Sequence, residues 1–303
     1  MNKYCFIVDE TDDGIRLDKY LSDLFSDISR AKLQAMIKGG NVLIDGAVKK
    51  SSYNLKCGEK VEFELAQEQE KIIEPQNIVL DIVYEDENML VVNKPSGMLT
   101  HPTSSEHENT LVNALLYKYG ENLSDINGYL RRGILHRLDR NTSGLLMVAK
   151  NNEAHEFLAN QLKERTANKK YLAVVKGVIK DDSGVLKFPI GRHPKQPKMA
   201  VIDGAKESIT EYKVLKRYRD TTFVELDLKT GRTHQIRVHL SHIHHPIIND
   251  TIYGAGNYKV KTQEQVLQSY KLSFAKPFSN DIIELEIGHD EKIKKVLTYL
   301  EQQ

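Results

Sequence analysis

His136-Arg137-Leu138-Asp139-Arg140-Asn141-Thr142-Ser143-Gly144 runs straight into Leu145-Leu146-Met147-Val148-Ala149. The Asn-Thr-Ser-Gly segment is turn-forming and the apolar run behind it has strand length. Together they predict a turn opening onto a buried strand. Asp139 then stands at a strand edge, where a rigid scaffold presents side chains to a ligand. Arg137 and Arg140 flank it. Guanidinium groups favour an ionised carboxylate beside them and also bind phosphate, which points to chemistry on a nucleic acid. In isolation an R-x-D-R sequence is more often a structural ion pair at a turn, so its meaning rests on the remainder of the chain.

Outward from this run, strand-like segments fall at 90–92, 145–149, 171–175 and 223–228, and helical periodicity at 111–117, 153–165 and 292–300. They do not alternate as β-α-β units. The expected class is α+β with a mixed, largely antiparallel central sheet. Residues 16–65 read as a separate small module. Leu17, Tyr20, Leu21, Leu24 and Phe25 recur with helical period, and Ser29 can cap a second helix carrying Leu33, Met36 and Ile37, which Gly39-Gly40 ends. A hairpin is expected from Val42-Leu43-Ile44 through Asp45-Gly46 to Ala47-Val48, with Val61, Phe63 and Leu65 as a closing strand. Gln67-Glu68-Gln69-Glu70-Lys71 is polar and without period, as a linker would be. The expected division is a module at 1–70, a linker at 71–79 and a larger domain at 80–303.

Of 303 residues, 40% are hydrophobic and 28% charged, the composition of an ordinary globular protein. No signal-like apolar core precedes Asp9 and no apolar run is long enough to cross a bilayer, so a cytoplasmic protein without membrane contact is expected. Two cysteines, Cys5 and Cys57, make no disulfide framework. The net charge of +1 conceals a strong asymmetry. Between Arg131 and Arg237 there are 23 Lys and Arg against 12 Asp and Glu, the footprint of a polyanion-binding segment.

Four stretches, one of them the Asp139 run itself, change the weight of that run. They are Val91-Val92-Asn93-Lys94-Pro95-Ser96-Gly97 with His101-Pro102, the Asp139 run itself, Lys170-Tyr171-Leu172-Ala173-Val174-Val175-Lys176-Gly177, and Thr230-Gly231-Arg232-Thr233-His234-Gln235-Ile236-Arg237-Val238-His239. In order and spacing, from about residue 80 to 260, they resemble the motifs of the RluA/RluD-type RNA pseudouridine synthases. The small module resembles the αL-type RNA-binding module named after ribosomal small-subunit protein four, through Arg16-Leu17-Asp18-Lys19, Ser29-Arg30, Ile37-x-x-Gly40 and Cys57-Gly58-Glu59. Gly191-Arg192-His193-Pro194, Met199-Ala200-Val201 and Thr210-Glu211-Tyr212 resemble an insertion of RluD-type members.

The resemblance implies the pseudouridine synthase fold and an isomerase that converts uridine to pseudouridine, with Asp139 as catalytic carboxylate. Arg237 corresponds to its basic partner and Tyr171 to the tyrosine that lies against the flipped uracil. Arg137 corresponds to an arginine that takes the space left by the extruded base. Arg140, Arg232 and His234 are candidates for RNA backbone contacts, and Gln235 and Ile236 for shaping the site. In the module, Arg16, Arg30, Lys32 and Lys38, with Lys49 and Lys50, are candidates for phosphate contacts. The implied partner is RNA, large-subunit ribosomal RNA or its precursor particles, bound by a monomer.

No cofactor and no metal are expected, since the isomerisation has no net redox change and consumes no water. The sequence has no Gly-rich phosphate loop for a nucleotide cofactor and no cysteine pairs of zinc spacing. His239, His242, His244 and His245 could bind zinc, which leaves a zinc-dependent hydrolase as one competing reading. The same stretch, continuing to Asn249-Asp250-x-x-Tyr253-Gly254, resembles a structural segment of the family in which Asn249 stands where Gly is usual. A second competing reading is a non-catalytic RNA-binding or ribosome-assembly factor on the same fold.

Overall fold

A computed structural model describes residues 2–303 except 11, 26–29, 66–72, 104, 255, 257, 263 and 280; the side chains of residues 2, 3, 30–32, 64 and 65 are also outside it. The expected Ser29 cap, the polar linker at 67–71 and the side chains of Arg30 and Lys32 therefore lie outside the described residues. The chain divides into two compact units, Met1–Ile72 and Ile73–Gln303.

The first unit runs β1 (Asn2–Ile7), α1 (Leu17–Leu24), α2 (Arg30–Lys38), β2 (Val42–Ile44) and β3 (Lys60–Leu65). Leu17, Tyr20 and Leu21 form the buried stripe of α1, and with Leu33, Ile37, Val42, Ile44, Val61 and Phe63 they make the core. The three strands lie in the antiparallel order β1-β3-β2. Asp45 and Gly46 both adopt positive φ (49° and 77°), and Ile44 and Ala47 exchange backbone hydrogen bonds of 2.8 and 2.9 Å. The expected turn is therefore present, but its expected return strand at Ala47-Val48 is not. Val48 is exposed and the chain leaves the sheet after Ala47, while the other edge of β2 pairs with β3, with Val42 opposite Phe63 and Ile44 opposite Val61. The second arm has only Lys49 and Lys50 to continue it, with no apolar pair to hold it against β2.

The second unit runs β4 (Ile82–Glu85), β5 (Met89–Lys94), α3 (Leu111–Tyr119), β6 (Ser143–Ala149), α4 (Asn152–Glu164), β7 (Asn168–Lys176), β8 (Ser183–Lys187), β9 (Ile190–Arg192), β10 (Met199–Val201), β11 (Ile209–Arg217), β12 (Thr221–Leu228), α5 (Gln235–His242), β13 (Leu267–Ala275), β14 (Ile282–Glu286) and α6 (Glu291–Glu301). Nine strands form one sheet in the order β4-β5-β6-β13-β7-β12-β11-β8, with β14 paired to the end of β13. Its pairings are antiparallel except β13 with β6, so the sheet is mixed and largely antiparallel as the sequence predicts. β9 and β10 form a separate hairpin.

The unbroken apolar character of β6 has a packing cause. Leu146 and Val148 face one core, with Leu111, Leu115 and Leu116 of α3. Leu145 and Met147 face a second core, with Leu158 of α4. A strand covered on both faces has no polar face to show. Gly144 joins the halves of the sheet. It pairs with Ser269 at φ 113°, and a Cβ there would lie 2.0 Å from the Ser269 carbonyl oxygen, so no other residue fits.

The segment expected to continue the linker to residue 79 is packed instead. Ile73 is buried in the core of the second unit, Asn113 Nδ2 donates to the Glu74 carbonyl at 2.8 Å, and the Gln76 N–H donates to the Asn113 carbonyl at 3.0 Å. One apolar residue and the polar start of α3 suffice to dock it.

Candidate active site

Asp139 lies in the turn before β6, where the Thr142 N–H donates to its carbonyl at 3.0 Å. Two buried ammonium groups fix this turn from below. Lys94 Nζ donates to the carbonyls of Pro95, Met98 and Arg140 at 2.8, 2.8 and 3.1 Å. Lys292 Nζ donates to Ser96 Oγ and to the carbonyls of Asn141 and Gln265 at 3.1, 2.5 and 3.0 Å. Each ammonium has three donors and three acceptors, so neither retains a donor for a ligand. Burial lowers Lys94 to about 7 and Lys292 to about 8. Thr100 completes the support, its hydroxyl donating to the Leu138 carbonyl at 3.0 Å.

The cation paired with Asp139 is neither flanking arginine. Arg237 Nη1, on α5, donates to Asp139 Oδ2 at 3.1 Å, and Arg140 turns to Glu106 instead. Arg237 is itself held by Asp250, through Nε to Oδ2 at 2.7 Å and Nη2 to Oδ1 at 2.9 Å. Asp250 is fully buried, and its Oδ1 also accepts the backbone N–H groups of Ile252 and Tyr253, each at 3.0 Å. Against the effect of burial, Arg237 and these amides hold the Asp250 carboxyl below its ordinary range. Burial likewise opposes the Arg237 charge, and the two carboxylates more than offset it. A guanidinium fixed at two points by Asp250 offers its third side to Asp139 in one orientation.

His234, the left-handed residue (φ 56°) that opens α5, approaches the other oxygen, with Nε2 3.8 Å from Asp139 Oδ1. Its Nδ1 lies 2.9 Å from the Tyr253 hydroxyl. That hydroxyl accepts the Met199 N–H from β10 at 2.9 Å, and its own proton is free to donate to Nδ1. With that donation the His234 proton sits on Nε2, toward Asp139. Burial lowers the His234 pKa, against the pull of Asp139, and so favours the neutral ring. The Tyr253 ring also stacks on Arg237, with the guanidinium carbon 5.1 Å from its centroid. Tyr253 thus touches both groups that flank Asp139.

Tyr171, on β7 beside Ser269 of β13, is buried, and burial pushes its hydroxyl well above the ordinary phenol range, with Asp139 adding to the effect. Asp139, Tyr171, Arg237, His234, Arg137 and Arg232 line one cleft of about 60 Å³. The structure thus brings together six of the seven sequence-expected residues of this unit, and Arg140 alone is drawn aside by its carboxylate. Gln235 braces the cleft wall. Its Oε1 accepts from Thr230 Oγ1 at 2.7 Å and the Arg232 N–H at 3.0 Å, while Nε2 donates to the Ile209 carbonyl at 3.0 Å and Thr210 Oγ1 at 2.9 Å. Lys94, Lys292, Asp250 and Tyr253 have no role in the sequence reading. Lys94 and Tyr253 stand inside quoted motifs, and Lys292 carries no sequence signal.

In the first unit, Arg16 precedes α1 and pairs with Asp18 at 2.7 Å, which ties it to the helix start. Lys38 is exposed and lines a pocket of about 670 Å³ with Lys49 and Lys50.

The histidines after Arg237 are used in packing. His239 reaches Thr210 Oγ1 and the Phe188 carbonyl, both at 3.0 Å, His242 packs on the Phe188 ring, and His245 Nδ1 lies 2.9 Å from the Lys176 carbonyl. Among the described residues no three His, Cys, Asp or Glu side chains converge as a metal site. Asn249 adopts φ 59°, and its side chain bonds Val260, Thr262 and Tyr258, so the turn is made without glycine. No helix among the described residues is long and apolar enough to cross a membrane.

Comparison with known proteins agrees with this geometry. The family described as RNA pseudouridylate synthase matches residues 88–242, and the S4 domain matches residues 15–61. An RNA pseudouridine synthase of Bacillus subtilis strain 168 is 40% identical over 301 residues, 99% of either chain. The ribosomal large subunit pseudouridine synthase D of Pseudomonas aeruginosa is 44% identical over 248 residues, 82% of this chain and 76% of that one. The solved structure of human RNA pseudouridylate synthase domain containing 1 matches with a TM-score of 0.58 at 25% identity, over 77% of this chain and 98% of the other. The turn before β6 and the arginine on α5 are therefore parts of a synthase domain, and the chain belongs to the RNA pseudouridylate synthase family, isomerases of uridine in RNA, with an S4 domain ahead of the synthase domain.

Proposed function

We propose that Asp139 is the catalytic carboxylate, Arg237 its fixed counter-charge and Tyr171 the face against which the extruded uracil lies, and that the substrate is large-subunit ribosomal RNA. The isomerisation breaks the N1–C1′ bond and forms a C5–C1′ bond, while one proton leaves C5 and one is gained at N1. The reaction needs an ionised carboxylate at the sugar, as nucleophile or base. The observation that carries the reading is the placement of Asp139. Oδ2 is bound to Arg237, whereas Oδ1 accepts no hydrogen bond among the described residues and shares a cleft with Tyr171. Tyr171, kept protonated by burial, can donate to a base oxygen or return a proton after rotation.

Arg137 is exposed at the cleft and has no ion pair among the described residues, which suits an arginine that fills the gap left by the base. His234 is reassigned from RNA contact to Asp139, on its 3.8 Å approach. The pocket of Lys38, Lys49 and Lys50 supports phosphate binding by the first unit. Relatives named for the ribosomal large subunit support ribosomal RNA as substrate and the cytoplasm as its site of action.

The test is Asp139→Asn on an unmodified transcript of large-subunit ribosomal RNA. Wild-type protein should form pseudouridine, read by mass spectrometry of digested RNA. The variant should form none, with RNA affinity within about threefold of wild type, because the amide keeps the shape but supplies neither nucleophile nor base. Sustained turnover by the variant would remove Asp139 from the chemistry.

A further inference from the structure

Next to the catalytic cleft lies a second pocket of about 350 Å³, which shares Asp139, Tyr171, Arg137 and Arg232 with it and extends to Lys169 of β7 and Lys163 near the end of α4. Lys169 and Tyr171 are two residues apart on one strand and so project from the same face of the sheet. Lys170, between them, projects from the other face and pairs with Glu225 at 2.8 Å. Lys169 has no such partner. Its ammonium makes no hydrogen bond or ion pair among the described residues, although the side chain is half-buried. Burial lowers it to about 8. Its neighbour His136 offers no relief, since desolvation lowers that ring to about 3, leaving it neutral, and it accepts the Met147 N–H at 3.2 Å.

A half-buried ammonium with no carboxylate partner gains from a ligand that supplies an anionic acceptor. Its surroundings state the charge of that ligand. Arg137, Lys163 and Arg232 also lack ion pairs among the described residues, and the one carboxylate in the pocket wall, Asp139, is already bound to Arg237. We propose that this pocket is an anion subsite in which Lys169 receives a phosphodiester of the RNA strand adjoining the target uridine. A carbonyl oxygen of neutral uracil needs one donor, whereas four unpaired cations around one opening match a backbone phosphate. The strand enters past Lys163 and its phosphate is fixed by Lys169, so the sugar is delivered to Asp139. This inference rests on the proposed reading of the cleft as a uridine site.

The experiment uses the full chain as wild type, Lys169→Met and Lys169→Arg, with the unmodified large-subunit ribosomal RNA transcript. Dissociation constants are measured across a salt series, and single-turnover rates at saturating protein. Lys169→Met keeps the apolar stem and should melt at or above the wild-type temperature. It should weaken binding about tenfold and flatten the log–log salt slope by roughly 0.7–0.9, one phosphate contact, with the saturated rate within about threefold. Lys169→Arg should restore most of the affinity and the slope. Unchanged affinity and slope in Lys169→Met would overturn the proposal. So would a loss confined to the saturated rate, which would assign the amine to the reacting base instead. If wild-type protein forms no pseudouridine while the Lys169→Met salt slope still falls, the reading of the cleft fails and the anion subsite stands.

Discussion

Asp250→Asn separates the support of the site from its chemistry. Asp250 is fully buried and carries two of the three charge-assisted bonds of Arg237. Asparagine keeps an oxygen for the Ile252 and Tyr253 amides but removes the charge that compensates a buried guanidinium. Breaking one side of a buried pair costs about 3–5 kcal/mol. In a domain of this size each kcal/mol shifts the melting temperature by roughly 2–4 °C, so the expected loss is roughly 6–20 °C. Arg237, released from Asp250, is left with Asp139 alone and should draw both carboxylate oxygens toward itself, taking Oδ1 out of the cleft. A misplacement of about 1 Å is enough for a 10²-fold loss of rate. The assay pairs a thermal melt with single-turnover pseudouridine formation, and Asp139→Asn is the control. That substitution leaves the Arg237–Asp250 pair intact and should abolish product with little thermal loss. An Asp250→Asn protein that melts within about 2 °C of wild type and turns over at the wild-type rate would refute the argument, because the buried pair would then have no energetic weight.

Gly144→Ala should prevent folding of the second unit, at a cost above about 4 kcal/mol, because the new Cβ would sit 2.0 Å from the Ser269 carbonyl oxygen; a soluble variant with a wild-type melt would contradict the register of β6 on β13. Tyr253→Phe keeps the ring on Arg237 but removes the hydroxyl beside His234 Nδ1, so the saturated rate should fall about tenfold with RNA affinity unchanged, and equal effects on both would reduce Tyr253 to a packing residue. Lys94 is lowered from 10.5 to about 7, so between those values the unfolded chain holds more protons than the folded one and folding strengthens as pH rises. The urea midpoint of wild type should therefore climb relative to that of Lys94→Met between pH 7 and 10, and parallel curves would show that Lys94 is not desolvated.

The sequence made the scaffold of the site legible because that scaffold is local. The seven residues of β6, the helical stripe of α4 and the left-handed Asn249 each express in consecutive residues a constraint that acts on consecutive residues. Where a constraint is satisfied from elsewhere in the chain, local pattern misleads. Val42-Leu43-Ile44 and Ala47-Val48 read as two arms of one hairpin, yet only the first is a strand, and its sheet partner is the distant β3. Residues 73–76 read as linker, yet one isoleucine and the start of α3 bind them.

The same division holds at the reacting carboxylate. Arginines two residues before and one after Asp139 looked like its counter-charges, but sequence neighbours in a turn point apart, and Arg140 pairs with Glu106. The actual partner, Arg237, is 98 residues away, and was legible only through its motif. Nothing local marks Lys292, which reaches the turn from the start of α6 and bonds Asn141 across 151 residues. An ammonium that holds residues 140 and 141 by their backbone carbonyls reads no side chain there and leaves no pattern in that turn. Lys94 and Lys292 therefore make the turn rigid through the one chemical group that every residue shares, which frees the side chains of residues 137–142 to be chosen for the reaction.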